Sequence, residues 1–236
     1  HLEKCFPNTK ILRVDRDSTR KKGAMQAVFD VADSGEPCIL IGTQMLAKGH
    51  HFANVTLVAV LDADSGLFSP DFRSHERMGQ LLTQVAGRSG RGDLPGKVVV
   101  QTHQPQHPLL EVLINKGYGF FAQQLMSERR ITQLPPFRHM ALIRAESDRA
   151  NEAESFLRLA RSIAERISPP SPLVTYLGPL PAMLEKRAGR FRFVLQINAS
   201  KRSLLQSLLS ALALTLEEHK DSRRVRWSID VDPQEI

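Results

Sequence analysis

An α/β lobe on a parallel sheet, followed by a small α+β sandwich, is the fold class this sequence predicts. Three observations lead there. Up to about residue 104, short apolar strands and amphipathic helices run in the order β-α-β-β-α-β, as in a parallel sheet covered on both faces. Past the tandem prolines of QLPPF (133–137) the same order returns in a second unit, reading as the split βαβ of a ferredoxin-like sandwich. Finally, 42% of the 236 residues are hydrophobic, enough for each half to bury a core. The predicted boundaries are a lobe over 1–104, a helical connector over 105–138 and an α+β domain over 139–236.

The elements follow in order. HLEKCF reads as the end of a helix with no start signal before it. KILRVDRD (10–17) is a strand, with Ile11, Arg13 and Asp15 alternating against Leu12 and Val14. STRKKGAMQAVFDVADSG is a helix that Ser18 or Thr19 could cap, with Met25, Val28 and Val31 on one face and Gly35 at its end. CILIG (38–42) and TLVAVLD (56–62) are apolar strands. A helix from about Arg73 to Gly87 carries Met78, Leu81, Leu82 and Val85 on one side, and KVVVQT (97–102) is the next strand. HQPQHP is a connector, and 108–128 reads as an amphipathic helix bearing Leu109, Leu110, Leu113, Tyr118, Phe121 and Leu125. QLPPF breaks it, because tandem prolines cannot continue a helix.

In the second unit MALIRAES (140–147) is a strand and 150–167 a helix. ISPPSP (167–172) is a loop inside the unit. YLGPLPAMLEK and RFRFVLQIN are strands around the turn KRAG, 201–219 is a helix and RVRWSIDVD (224–232) the last strand.

A net charge of +7 and a pI near 9.7 fit a polyanionic partner, nucleic acid first, although charge alone also fits a merely basic protein. Six percent aromatic residues is low for reading single strands mainly by base stacking. No apolar run reaches the roughly 18 residues of a membrane span, and residues 1–20 hold no secretory h-region. Cys5 and Cys38 match no zinc or disulfide spacing and read as reduced cysteines of a cytosolic protein. His50, His51, His75, His103 and His107 match no metal-ligand spacing either, so no metal site is expected.

The chemistry concentrates at QVAGRSGRG (84–92). Arg88 and Arg91 are three residues apart, so on a helical turn they face one way. Gly87 and Gly90 remove side chains that would hold a ligand at a distance. Two guanidiniums aimed together suit a phosphate, and a phosphoryl-transfer transition state needs such charge. A lone R-x-x-R would be a solvated basic turn, but Q-x-x-G-R-x-G-R after an α/β unit is more specific.

QVAGRSGR resembles motif VI of the superfamily 2 helicases, and GTQMLAKGHHF (42–52) resembles their motif V, placed between two strands of the same lobe. The longer strings GTQMLAKGHHFANVTLVAVLDAD and SPDFRSHERMGQLLTQVAGRSGRG, with LPPF and RVRWSIDVDP, are similar to the PriA family of primosomal replication-restart DNA helicases. The resemblance covers essentially the whole chain. It implies a RecA-like second helicase lobe followed by a C-terminal domain similar to the ribosomal small-subunit protein S10.

The resemblance also implies roles. Arg91 is the arginine finger on the γ-phosphate of ATP, Arg88 its helper, and Gln84 orients water or a phosphate oxygen. Gly87 and Gly90 belong to the same nucleotide-binding turn. Thr43, Gln44 and Lys48 touch DNA phosphates or couple DNA to the ATP site, and Gly49 lets the backbone approach a phosphate or the nucleotide. His51 stands where many superfamily 2 motors carry an acidic residue, which puts the usual carboxylate role there in doubt. No P-loop accompanies these residues: the one Gly-Lys pair, Gly96-Lys97, is followed by Val98. Asp62 or Asp64 after the apolar strand could pass for Mg²⁺ ligands, but without a P-loop the strand reads as a buried strand ending in an acidic loop.

The expectation is therefore the C-terminal part of a longer, ATP-dependent 3′→5′ helicase, inactive as this piece alone. ATP and Mg²⁺ would be held mainly by a first lobe upstream, and the family's zinc module would lie upstream too. Expected partners are branched forks and single-stranded DNA, the acidic tail of single-stranded DNA-binding protein (SSB) and other primosome proteins, with no membrane. The expected location is the bacterial cytoplasm, associated with the nucleoid.

KRAGRFRF (186–193) and RRVRW (223–227) make the C-terminal unit basic. Arg190 and Arg192 alternate with Phe191 and Phe193, so that face is either a phosphate-binding patch or a solvated sheet face over an apolar core. By the resemblance, Arg202 and Gln206, one helical turn apart, are candidates for holding the terminal carboxylate and backbone of the SSB tail. The competing readings are a non-enzymatic nucleic-acid-binding scaffold with a degenerate lobe, and an ATPase completed by a separate first-lobe chain.

Overall fold

The computed structural model describes residues 1–14, 23–42, 55–87 and 96–235. It is a mixed α/β protein that divides into two compact units, His1–Gln123 and Gln124–Ile236.

In the first unit helix α1 (Leu2–Cys5) precedes strand β1 (Lys10–Val14), and helix α2 (Ala24–Asp33) joins β1 to β2 (Cys38–Gly42). The two strands pair in parallel, Lys10 opposite Cys38 through Val14 opposite Gly42. Gly23 caps α2 at φ +87°, a left-handed conformation that costs glycine nothing. The cap candidates Ser18 and Thr19 lie outside the described residues. Strands β3 (Leu57–Val60) and β4 (Lys97–Val100) form a second parallel pair, Leu57 opposite Lys97 through Val60 opposite Val100. Between them lie the short α3 (Asp64–Leu67) and α4 (Ser74–Ala86).

Among the described residues these are two separate two-stranded parallel pairs rather than one sheet. The apolar runs had predicted cover on both faces. Instead β3 and β4 alternate exposed and half-buried residues, with Leu57 58% and Val99 44% exposed. Adjacent residues of a strand point to opposite sides, so an apolar run shows that both sides are greasy but not that both are covered.

Helix α4 is held at its start and along its buried side. At its start Asp71, 4% exposed, accepts the Arg73 N–H at 2.9 Å and pairs with Arg77 Nη2 at 2.5 Å. Nearby His75 Nε2 lies 2.7 Å from the Leu67 carbonyl. Along its length Met78, Gly79 and Leu82 are buried, and Phe121, fully buried, packs against Gly79. Phe121 belongs to helix α5 (Pro108–Ile131), which Gly117 interrupts at φ +81°. The helix predicted over 108–128 is thus two helical pieces joined by a kink at Gly117, where glycine takes a positive φ freely.

The second unit is a four-stranded antiparallel sheet in the order β6-β7-β5-β8, formed by β5 (His139–Ser147), β6 (Val174–Arg187), β7 (Arg190–Ala199) and β8 (Arg226–Val231). Helix α6 (Ala150–Ile167) joins β5 to β6, so β7 lies between two strands linked through a helix. Helix α7 (Arg202–Glu218) and a 3₁₀ turn (Lys220–Arg223) lead to β8. The core lies between the helices and one sheet face: Ala141, Ile143, Leu195 and Ile197 from the sheet meet Leu157, Ile163, Leu205 and Leu212 from the helices. Strand β6 bulges at Gly178, at φ +104°, where a Cβ would stand 2.8 Å from the Val194 carbonyl oxygen. No helix among the described residues is long and apolar enough to cross a membrane.

Candidate nucleotide and nucleic-acid sites

The two motif segments grow out of ordered elements. Strand β2 ends at Gly42, directly before Thr43, Gln44, Lys48 and Gly49, all four outside the described residues. The carboxyl end of a parallel strand is where α/β proteins place ligand contacts. Helix α4 ends at Ala86 and carries Gln84, half-buried, in its last turn. Gly87 follows in ordinary helical geometry at φ −70°, its N–H donating to the Thr83 carbonyl at 3.1 Å. Arg88, Gly90 and Arg91 lie outside the described residues, as does His51. The packing of Gly79 on Phe121 and the Asp71–Arg77 pair therefore fix the helix from which Gln84 and Gly87 project.

Asp64 is tied into the end of the β4 segment. Its carboxylate accepts hydrogen bonds from the Thr102 hydroxyl, the His103 N–H at 2.9 Å and the His103 imidazole at 2.6 Å. Those donors, Thr102 foremost, hold its carboxyl down at about 2. Asp62, in left-handed conformation at φ +56°, turns the chain into α3, and its carboxylate accepts the Ser65 N–H at 3.3 Å. Asp64 is thus held by three donors from Thr102 and His103. Among the described residues no three His, Cys, Asp or Glu side chains come together as a metal site, and Cys5 and Cys38 are both free.

On the second unit one end of the sheet face opposite the helices is charged, while Met140 and Leu142 farther along the same face are fully buried. Period-2 alternation sends Phe193 into the core and leaves Arg190 and Arg192 on the other side. The two arginines do not stand alike. Arg190 is exposed, whereas Arg192 is half-buried and its Nε donates to Glu146 Oε1 on β5 at 3.1 Å. Register sets Glu146 opposite Arg192 on one side and Arg226 of β8 on the other, so one carboxylate lies between two arginines in a row across three strands. Arg144, two residues earlier on β5, pairs with Asp230 at 3.3 Å and donates to the Glu235 carbonyl. Sequence reasoning singled out Arg190 and Arg192 but not Arg144, Arg187 or Arg226. The alternation of Arg224 and Arg226 with Val225 and Trp227 is the signal that marks Arg226.

Arg202 and Gln206 lie on the exposed side of α7, one turn apart, while Leu205, Leu209 and Leu212 of the same helix face the core. They are thus on the helical layer, away from the arginine row of the sheet.

Comparison with known proteins gives the family. Residues 130–234 match the family described as the primosomal protein N C-terminal domain. Over the whole chain, 235 aligned residues are 44% identical to a replication restart protein PriA of Haemophilus influenzae, of which they cover 32%. The PriA of Synechocystis sp. is 39% identical, with all of this chain and 27% of the relative aligned. That of Bacillus subtilis is 35% identical, with 98% of this chain and 29% of the relative aligned. The chain spans about a third of the length of these relatives or slightly less. With its arginine-bearing sheet inside the matched domain and its motif strings inside the longer alignments, the chain belongs to the replication restart protein PriA family, to whose C-terminal part it corresponds.

Proposed function

We propose that this chain is the second RecA-like lobe and the ferredoxin-like, S10-like C-terminal domain of an ATP-dependent 3′→5′ DNA helicase. That helicase recognises stalled or branched replication forks and reloads the replisome. The observation that carries the reading is the Q-x-x-G-R-x-G-R string at the end of a packed α/β helix, in a chain that aligns throughout with replication restart proteins. ATP supplies the phosphoryl group to be transferred, and a first lobe holds most of it, with its Mg²⁺. The fit from this side is chemical: two guanidiniums and an amide suit phosphate oxygens and an attacking water. Arg91 neutralises charge on the γ-phosphate, Arg88 assists it, and Gln84, carried by α4, orients water or a phosphate oxygen. Thr43, Gln44 and Lys48, after β2, touch DNA phosphates or couple DNA to the ATP site, and Gly49 lets the backbone approach a phosphate or the nucleotide. On the C-terminal domain Arg190 and Arg192 face DNA, and Arg202 and Gln206 receive the SSB tail.

The test is Arg91→Ala in the complete polypeptide. An arginine finger is worth about 10³–10⁵ in turnover, so DNA-stimulated ATP hydrolysis should fall to background while DNA affinity stays within about twofold. Equal loss of hydrolysis and of DNA binding removes the finger assignment. Full retention of hydrolysis removes the motor reading and leaves a DNA-binding scaffold.

A further inference from the structure

At the charged end of that sheet face lies a hollow of about 570 Å³. Arg144, Arg187, Arg190 and Arg226 line it, against one lining carboxylate, Glu146. That carboxylate is engaged by Arg192, and Arg144 is engaged by Asp230 and the Glu235 carbonyl. Arg187, Arg190 and Arg226 are exposed and have no carboxylate within salt-bridge distance among the described residues. Three strands thus present three uncommitted guanidiniums around one concavity, while the ion pairs at its floor hold the sheet.

We infer that this hollow is a binding site for the phosphodiester backbone of a nucleic acid strand, with Arg187, Arg190 and Arg226 as its phosphate ligands. The inference rests on the reading that the chain acts on DNA, and gives that reading a place and a chemistry. Two inter-strand spacings separate β8 from β7 and three separate β8 from β6, roughly 10 and 14 Å. A strand rising about 3.4 Å per nucleotide covers that distance in three to four nucleotides. Each guanidinium can fork onto a phosphate. The nearby rings offer no stacking platform: Phe191 and Trp227 pack against the core, and Lys186 lies 4.5 Å over the Phe191 ring. Binding is therefore blind to base identity and carried by charge. An acidic peptide fits less well, since apart from Ala188 and the core-packed Trp227 the lining is polar or charged and holds no exposed apolar anchor.

The experiment titrates the 236-residue chain into a fluorescein-labelled oligodeoxythymidylate of about 12 nucleotides and follows anisotropy across salt. The variant R187A/R190A/R226A empties the hollow of its free arginines. The control R149A/R158A/R166A removes the same charge from the start and exposed side of α6, on the opposite face of the sheet. Each lost phosphate contact on a single strand costs about 5-fold near 0.1 M salt, so the hollow variant should bind about 100-fold more weakly. Its salt slope should drop by about 2, with the control changing less than about 5-fold. E146Q, which removes the lining carboxylate and frees Arg192, should tighten binding by about 5-fold. Equal losses from both triple variants, or no tightening by E146Q, overturn the site while leaving DNA binding in place. No binding by the native chain at low salt overturns the DNA reading itself. Tighter binding to polyglutamate than to the oligonucleotide replaces nucleic acid with an acidic peptide.

Discussion

Replacing Gly79 by alanine tests the packing that holds α4, and two effects of opposite sign compete there. Helix propensity favours the change: alanine in a helix interior is better than glycine by about 1 kcal/mol. Packing opposes it. The new Cβ would stand 2.3 Å from Phe121 Cε1, 2.7 Å from Cζ and 3.0 Å from Cδ1, where carbon atoms prefer about 3.5–4.0 Å. Phe121 has no exposed surface into which to retreat, and its ring is also held beside Tyr118 with centroids 5.9 Å apart. Overpacking of this kind costs about 1–3 kcal/mol, and an overlap exceeding 1 Å against an immobile ring belongs at the upper end. The expected balance is a loss of about 2 kcal/mol, read as a lower urea midpoint in far-UV circular dichroism with an unchanged slope. The double variant G79A/F121L should recover part of that loss, with a coupling of about 1 kcal/mol or more. A rise in stability near 1 kcal/mol for G79A alone is the propensity gain undiminished, and would refute the claim that Phe121 fills the space over Gly79.

Two further outcomes follow from the same unit. Asp64 has its carboxyl held at about 2 in the fold against 3.8 when free, so its hydrogen bonds stabilise the fold fully above about pH 4. That contribution is lost as pH falls toward 2. D64N should therefore flatten the pH dependence of the urea midpoint between about pH 2 and 4, and an unchanged slope there would discount the Thr102 and His103 donors. D71A removes the carboxylate that pairs with Arg77 and accepts the Arg73 N–H, and should cost about 2 kcal/mol, discounted because the Arg77 side chain is 37% exposed. A change under about 0.5 kcal/mol would mean that water replaces the pair.

Much of the local structure was readable from the residues. The helix expected over 150–167 runs Ala150–Ile167, and that over 201–219 runs Arg202–Glu218, since both carry an apolar stripe of helical period. The strands either side of KRAG were legible for a similar reason, with Ala188 and Gly189 in left-handed conformation at the turn. The apolar spacing over 108–128 predicts an unbroken helix because it continues through Gly117, where the backbone breaks. Gly79 left no trace in the pattern either: a buried glycine on a helix is silent until the residue that fills the gap is known. Of the candidate site, the motif strings were conspicuous by residue type, while the distinction between Arg190 and Arg192 was invisible.

The sequence by itself determined the element types, the basic character and the family likeness. Periodicity, turn residues and motif spacing act over a helix or a hairpin, and all are written along the chain. Tertiary structure alone decided which charges are committed. Arg192 meets Glu146 across a separation of 46 residues because β7 lies between β5 and β6, and Arg226 joins that row because β8 pairs with the other edge of β5. Strand order and register choose these neighbours, and they are settled by burying Ile143, Leu195 and Ile197 beneath the helices rather than by the arginines themselves. The charged face is what remains on the other side of that choice.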